Sequence, residues 1–143
     1  MDSQFATLRQ LVARAHTKIN ERDLADLGDI FDPGVILDLS RLTFNPDVYH
    51  GFAGLRDWVG GFDQTWDSLH HELVSVVAVD GRVVAHTRLC GRGLRGGVPV
   101  EMDMFGVFLF RDERIAHLIG AFRDFPSAFE AAADQPRHLS RAG

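Results

Sequence analysis

VPVEMDMFGVFLF, residues 98–110, decides the fold. Val98, Val100, Met102, Met104, Gly106, Phe108 and Phe110 form one alternating set. Pro99, Glu101 and Asp103 open the other, which turns apolar at Phe105, Val107 and Leu109. Period-two alternation marks a strand with two unlike faces. Similar runs lie on either side: residues 82–93 lead in through Leu94-Arg95-Gly96-Gly97, and residues 114–123 follow Arg111-Asp112-Glu113. Further upstream, Asp80-Gly81 is a hairpin signal joining residues 71–79 to residues 82–93. An antiparallel meander is expected.

Register assigns its faces, because a slip of one residue swaps every side chain to the other side. A hairpin centred on Arg95-Gly96 sets Arg88 opposite Asp103 and His86 opposite Phe105. Ala85, Thr87 and Leu89 then share a face with Met102, Met104 and Gly106. Opposite charges facing each other across strands favour this register over the slipped one. In the final strand Leu118, Gly120 and Phe122 form one set, and His117, Ile119, Ala121 and Arg123 the other. Gly106 and Gly120 remove bulk from the apolar face, which suits either a cavity or a closely packed helix. The other face gathers His86, Arg88, Glu101, Asp103 and His117 with Phe105, Val107 and Ile119. That mixture fits a homodimer interface better than an active site.

The preceding chain reads as cover for such a sheet. Phe5, Leu8, Leu11, Val12, Ala15 and Ile19 recur at helical spacing over residues 3–20. His16 borders that stripe, either as a boundary histidine or as a polar group reaching under the helix. A short second helix is expected over residues 23–31, stopped by Asp32-Pro33-Gly34. A strand, VILDL, follows at residues 35–39. Asp38 interrupts this aliphatic run, so its carboxylate either meets water at a rim or is held where a charge is used. Phe52, Leu55, Trp58, Val59, Phe62, Trp66 and Leu69 continue a helical pattern from Gly51, weakened at Gly60-Gly61. Its aromatic stripe serves as core or lines a pocket. After Pro126, SAFEAAA gives one short helix before a mobile tail.

At 143 residues with 45% hydrophobic content, the chain fits one domain with one core. A formal net charge of -5 disfavours a nucleic-acid partner, which calls for a basic face. No apolar run is long enough to span a bilayer, and no signal-peptide pattern opens the chain. The single cysteine, Cys90, cannot close an internal disulfide, which points to a reducing cytoplasm. Cys90 lacks a partner motif for nucleophilic catalysis, and the histidine spacings suggest no metal site.

Several short segments then fall into a pattern: Asn20-Glu21-Arg22-Asp23-Leu24, Phe31-Asp32-Pro33, Tyr49-His50-Gly51 with Gly54-Leu55-Arg56, and Phe110-Arg111-Asp112-Glu113-Arg114-Ile115 with Asp124. Their order resembles the nuclear transport factor 2-like superfamily, and within it the SnoaL-like branch named for a polyketide cyclase. The likeness covers residues 3–130. It implies an α+β, cone-shaped fold in which a curved antiparallel β-sheet carries a concave-face cavity roofed by N-terminal helices.

The resemblance also bears on chemistry. The general-base aspartate of the related ketosteroid isomerases falls on Asp38. The positions of their oxyanion donors hold Ala15 and Gly106, which disfavours steroid isomerisation. Thr87, Leu89 and Gly120 replace the catalytic set of limonene epoxide hydrolases. SnoaL-like cyclases use acid–base chemistry on an acidic carbon, and Asp38, with Tyr49, His50 and His16 as neighbours, can serve that role. The expectation is a cofactor-independent isomerase, cyclase or lyase without a metal, in which Asp38, Tyr49 and His16 act on a small hydrophobic molecule. Trp58, Phe62, Trp66, Thr87, Met102, Met104, Leu118 and Phe122 would line its pocket. The alternative is a non-catalytic ligand-binding or dimerisation module of the same fold.

Overall fold

The expected meander forms four consecutive strands: β3 (Trp66–Val79), β4 (Arg82–Gly93), β5 (Pro99–Arg111) and β6 (Arg114–Phe122). The computed structural model describes residues 3–42, 46–136 and 139. Two-residue loops close the first and last hairpins. Asp80 and Gly81 have φ of 50° and 85°, and Asp112 and Glu113 have φ of 52° and 59°. Paired left-handed residues match the right-handed twist of the strands they join. The β4–β5 register is the one that charge pairing selects, with Arg88 opposite Asp103 and His86 opposite Phe105.

Two further strands extend the sheet, which is curved and unclosed, to the order β2-β1-β6-β5-β4-β3. β1 (Phe31–Asp38) lies parallel to β6, and β2 (Val48–His50) antiparallel to β1. One pair in an otherwise antiparallel sheet is thus parallel. Asp32-Pro33-Gly34, read as a helix stop, lies inside β1 at an irregularity in its pairing. The buried Asp32 carboxylate accepts from the Gly34 amide at 2.8 Å and from the Arg111 guanidinium at 3.0 Å. This pair fixes the bend in β1 against the end of β5, so two of the recognised segments do structural work.

Two helix readings need correction. Residues 23–31 form only a 3-10 turn at Leu27–Asp29. Asp23 accepts from the Ala25 amide, Asp26 is left-handed at φ 54°, and Gly28 adds no helical preference. Leu27, Ile30 and Phe31 are nonetheless buried. The helix from Gly51 ends at Gly60, giving α2 (Gly51–Gly60), and is followed by a 3-10 turn at Phe62–Gln64. Trp66 and Leu69 consequently belong to β3. α1 (Ser3–Glu21) and α3 (Phe125–Ala133) form where the periodicity places them, with Asp124 capping α3 by accepting from the Ser127 amide. The turn expected at Asn45-Pro46 involves Asn45, and the tail includes 137–138 and 140–143; these lie outside the described residues. No helix among the described residues is long and apolar enough to cross a membrane.

The sheet buries both faces. On one, Leu8, Leu11, Val12 and Ala15 of α1 pack with Leu37, Val83, Ala85 and Phe108. On the other, Ala128 and Ala132 of α3 pack with Val84, Val107, Leu109 and Ile119. Phe105, Val107 and Ile119, expected on an open face, therefore lie in the cluster that α3 closes. The end of α1 ties down edge strand β3. Asn20 accepts from the His71 amide at 2.7 Å and donates to its carbonyl at 2.8 Å, while Arg22 donates to the Leu69 carbonyl. A polar side chain thereby satisfies backbone groups that have no further strand to pair with.

Candidate functional site

Between α2 and the α1 face of the sheet lies a pocket of about 740 Å³. Thr87 and Leu89 of β4, Met104, Gly106 and Phe108 of β5, and Leu118 of β6 form its floor. Trp58, Phe62 and Trp66 form a wall, and Asp47, Arg56, Asp57, Gln64 and Thr65 add polar lining. Trp66 owes its place to Gly91, where a Cβ would come within 2.8 Å of the indole. Of the two readings of the floor glycines, the structure bears out the cavity; what packs closely on Gly120 is Leu39, just beyond β1, and not a helix. Gly106 and Gly120 line the pocket, yet a Cβ on Gly120 would meet Leu39 at 2.8 Å.

The inner polar groups are histidines. His71 points from β3 to the pocket face because it pairs with Leu89, and its ring is edge-on to Trp58 at 5.7 Å. Only 8% of the residue is exposed, and its Nδ1 is buried without a hydrogen-bond partner among the described residues. Burial, with smaller contributions from nearby His16, Arg22 and His70, lowers its pKa to about 3. His71 is therefore neutral at ordinary pH. His16 reaches under α1 to Thr87: its Nδ1 lies 2.9 Å from the Val12 carbonyl and its Nε2 2.9 Å from the Thr87 hydroxyl. Burial lowers this imidazole's pKa as well, only partly offset by the Val12 bond. Tyr49 lines the pocket from β2, and desolvation with the charges of Asp47 and Asp57 raises its phenol, keeping it protonated.

The expected site residues divide accordingly. Tyr49, Trp58, Phe62, Trp66, Thr87, Met104 and Leu118 line the pocket. His16 lies one layer behind the lining, bonded to Thr87. Met102 shares the Leu89 face but packs in an adjoining cluster with Val59 and Phe62. Phe122 turns to the opposite face. A bulge sets Gly120 and Ala121 against Gly106, so Phe122 pairs with Phe105 beneath α3 and Ala121 takes the pocket position.

Asp38 also lies away from the pocket. It pairs with Ile119, on the α3 face, whereas its neighbours Leu37 and Leu39 turn to the α1 side. Burial pushes the Asp38 carboxyl up. Bonds from the Ser40 hydroxyl and amide, with Arg41 and His117, outweigh that and leave its pKa lowered. In the sequence His71 is hidden, because the helical spacing of the aromatic stripe runs on through Trp66 and Leu69. The alternation Leu69, His71, Leu73 puts it on the pocket face, and a bulge between Trp66 and Ser68 brings Trp66 to the same side.

Among the described residues no three histidine, cysteine, aspartate or glutamate side chains come together as a metal site. The profile of the SnoaL-like domain family matches residues 12–118. Comparison with curated proteins finds no match. Among solved structures, the chain is similar to Bal32a from a soil-derived mobile gene cassette, at 20% identity and a TM-score of 0.73 over 90% of this chain and 97% of that one. It is similar to TsrD from Streptomyces laurentii at 23% identity, with a TM-score of 0.64 over 80% and 87%. A candidate SnoaL-like polyketide cyclase from Jannaschia sp. CCS1 shares 16% identity, with a TM-score of 0.66 over 92% and 94%. At such identities the structural likeness speaks to fold alone. Together with the profile match over most of its length, the six-stranded sheet roofed by α1 and α2 makes this chain a member of the SnoaL-like domain family.

Proposed function

We propose that the chain is a cofactor-independent acid–base enzyme of the cyclase or isomerase type, acting on a small, largely apolar carbonyl compound. The observation that carries this reading is His71, a neutral imidazole with an unpartnered nitrogen in a wall of Trp58 and Phe62. An isolated imidazolium is disfavoured there. A proton taken from an acidic carbon instead leaves an imidazolium–enolate pair with no net charge, which burial penalises far less. Tyr49, kept protonated, is the donor available to a developing enolate oxygen. The SnoaL-like polyketide cyclases among similar folds favour the same chemistry. Asp38 is replaced in this role, while Tyr49 and His16 keep theirs at and behind the pocket wall.

The reading is tested by proton exchange. β-Tetralone, a neutral two-ring ketone, is incubated with the protein in deuterium oxide, and loss of its activated methylene signal is followed by NMR. Accelerated exchange is expected. Retention of the probe in bound form at the uncatalysed exchange rate favours the second reading, a non-catalytic binding module. One observation supports that alternative: among the described residues the carboxylates in the lining are Asp47 and Asp57, and neither lies on the floor strands.

A homodimer built on the half-buried His86 and Arg88 with the exposed Glu101 and Asp103 belongs to the same proposal, with His117 further along the same face, opposite Leu109. Arg88 lies within 4 Å of Glu72, Glu101 and Asp103 there. The lone Cys90 agrees with a cytoplasmic setting.

A further inference from the structure

Which groups the pocket presents follows from proton bookkeeping around His16. The Val12 carbonyl can only accept, so the Nδ1 bonded to it carries the ring hydrogen. In the neutral ring, Nε2 is then a bare acceptor. The short contact to Thr87 is a hydrogen bond only if the Thr87 hydroxyl donates its proton to Nε2. A threonine hydroxyl has one proton and two lone pairs. With its proton committed behind the wall, Thr87 turns only acceptor capacity toward the pocket it lines.

His71 constrains the opposite end of the same wall. Its Nδ1 is buried away from the cavity, so the ring meets a ligand through Nε2. His71 pairs with Leu89 and Thr87 with Leu73, so the two lie diagonally across β3 and β4. Such neighbours are about 7–8 Å apart. That is roughly the span of one ring with oxygens at its two ends. The acidic and basic lining, Asp47, Arg56 and Asp57, belongs to α2 and the segment before β2 rather than to this stretch of floor.

We infer that the pocket selects hydroxy-ketones: the ligand's hydroxyl donates to Thr87, whose own proton is claimed by His16, while its ketone end lies toward His71. Thr87 is a specificity-determining residue and His16 the positioning residue that fixes its polarity. This rests on the reading of the pocket as a small-molecule site and narrows the class of molecule.

The test uses para-hydroxybenzophenone, para-methoxybenzophenone and benzophenone as probes, with affinities measured by calorimetry. Methylation keeps an oxygen at the same place but removes the donor. Wild-type protein is expected to bind the hydroxy probe about tenfold more tightly than the methoxy probe, the discrimination typical of one buried hydrogen bond. Thr87→Val, nearly isosteric, should abolish that preference, and Thr87→Ser should restore it. His16→Phe frees the Thr87 hydroxyl to rotate and should lower the preference even where the fold, checked by circular dichroism, is intact. Equal binding of hydroxy and methoxy probes by the wild type overturns the inference while leaving the pocket reading in place. Binding of none of the three overturns both. Since the decisive comparison is made on the wild-type chain, misfolding of a variant cannot mask it.

Discussion

His71 is where burial and chemistry meet. Its pKa of about 3 lies well below the ordinary value of 6.5, and burial is the main cause. Below pH 6.5 the unfolded chain binds a proton that the folded chain refuses. Stability from this group is therefore complete above pH 6.5 and is lost as pH falls toward 3. At about pH 4.5 the loss is on the order of 3 kcal/mol. His16 and His117, both lowered by burial, act in the same direction. The lowered aspartates, Asp38 and Asp103 among them, lose stability only as pH falls below the ordinary 3.8, so the window above it belongs to histidine. Urea midpoints at pH 7 and pH 4.5 should differ far more for wild type than for His71→Leu. Equal differences would mean that His71 is not held neutral by the fold.

The residue scale is also where sequence reading fell short. Asp38 stood out as a carboxylate in an aliphatic strand, but strand parity sends Val35, Leu37 and Leu39 to the core and Asp38 to the far side. His71 was masked by an aromatic stripe whose spacing happens to suit a helix up to Trp66. For His16, the reading as a group reaching inward is the one the Thr87 bond favours.

Among the elements, β6 carries the feature that alternation alone could not supply. Ala121 sits at φ 68°, in the left-handed region, within the bulge that turns Phe122 toward α3. An alanine there costs roughly 1–2 kcal/mol relative to a glycine's freedom, and a glycine's looser unfolded chain returns about 0.4–1 of that. Ala121→Gly should thus stabilise the protein by about 0.5–1 kcal/mol in urea unfolding; clear destabilisation would show that the Ala121 methyl matters more in packing than its strain costs. The meander was legible because Asp80-Gly81 and the Arg88–Asp103 pairing fix register locally. The extent of α2 and β3 was not. Gly60-Gly61 weakens the helix, but the switch to strand depends on pairing with β4, from Trp66 with Gly93 to Val79 with Arg82, over a distance no local pattern reveals.

At the scale of the whole molecule, the sheet separates two tasks. Its α1 face holds the pocket; its other face is closed by α3 at one end and left charged at the other. Arg88→Glu places a like charge among Glu72, Glu101 and Asp103, and should shift the mass seen by light scattering from dimer toward monomer. An unchanged dimer would move the interface elsewhere. The central claim is that chemistry centres on His71 rather than on Asp38. The most direct measurement is the rate of β-tetralone deuterium exchange in His71→Asn and Asp38→Asn, compared with wild type. The account predicts a loss of roughly 10²–10⁴-fold, the range for a missing acid–base group, in His71→Asn and near-wild-type exchange in Asp38→Asn. Wild-type exchange in His71→Asn, with loss in Asp38→Asn, would contradict it.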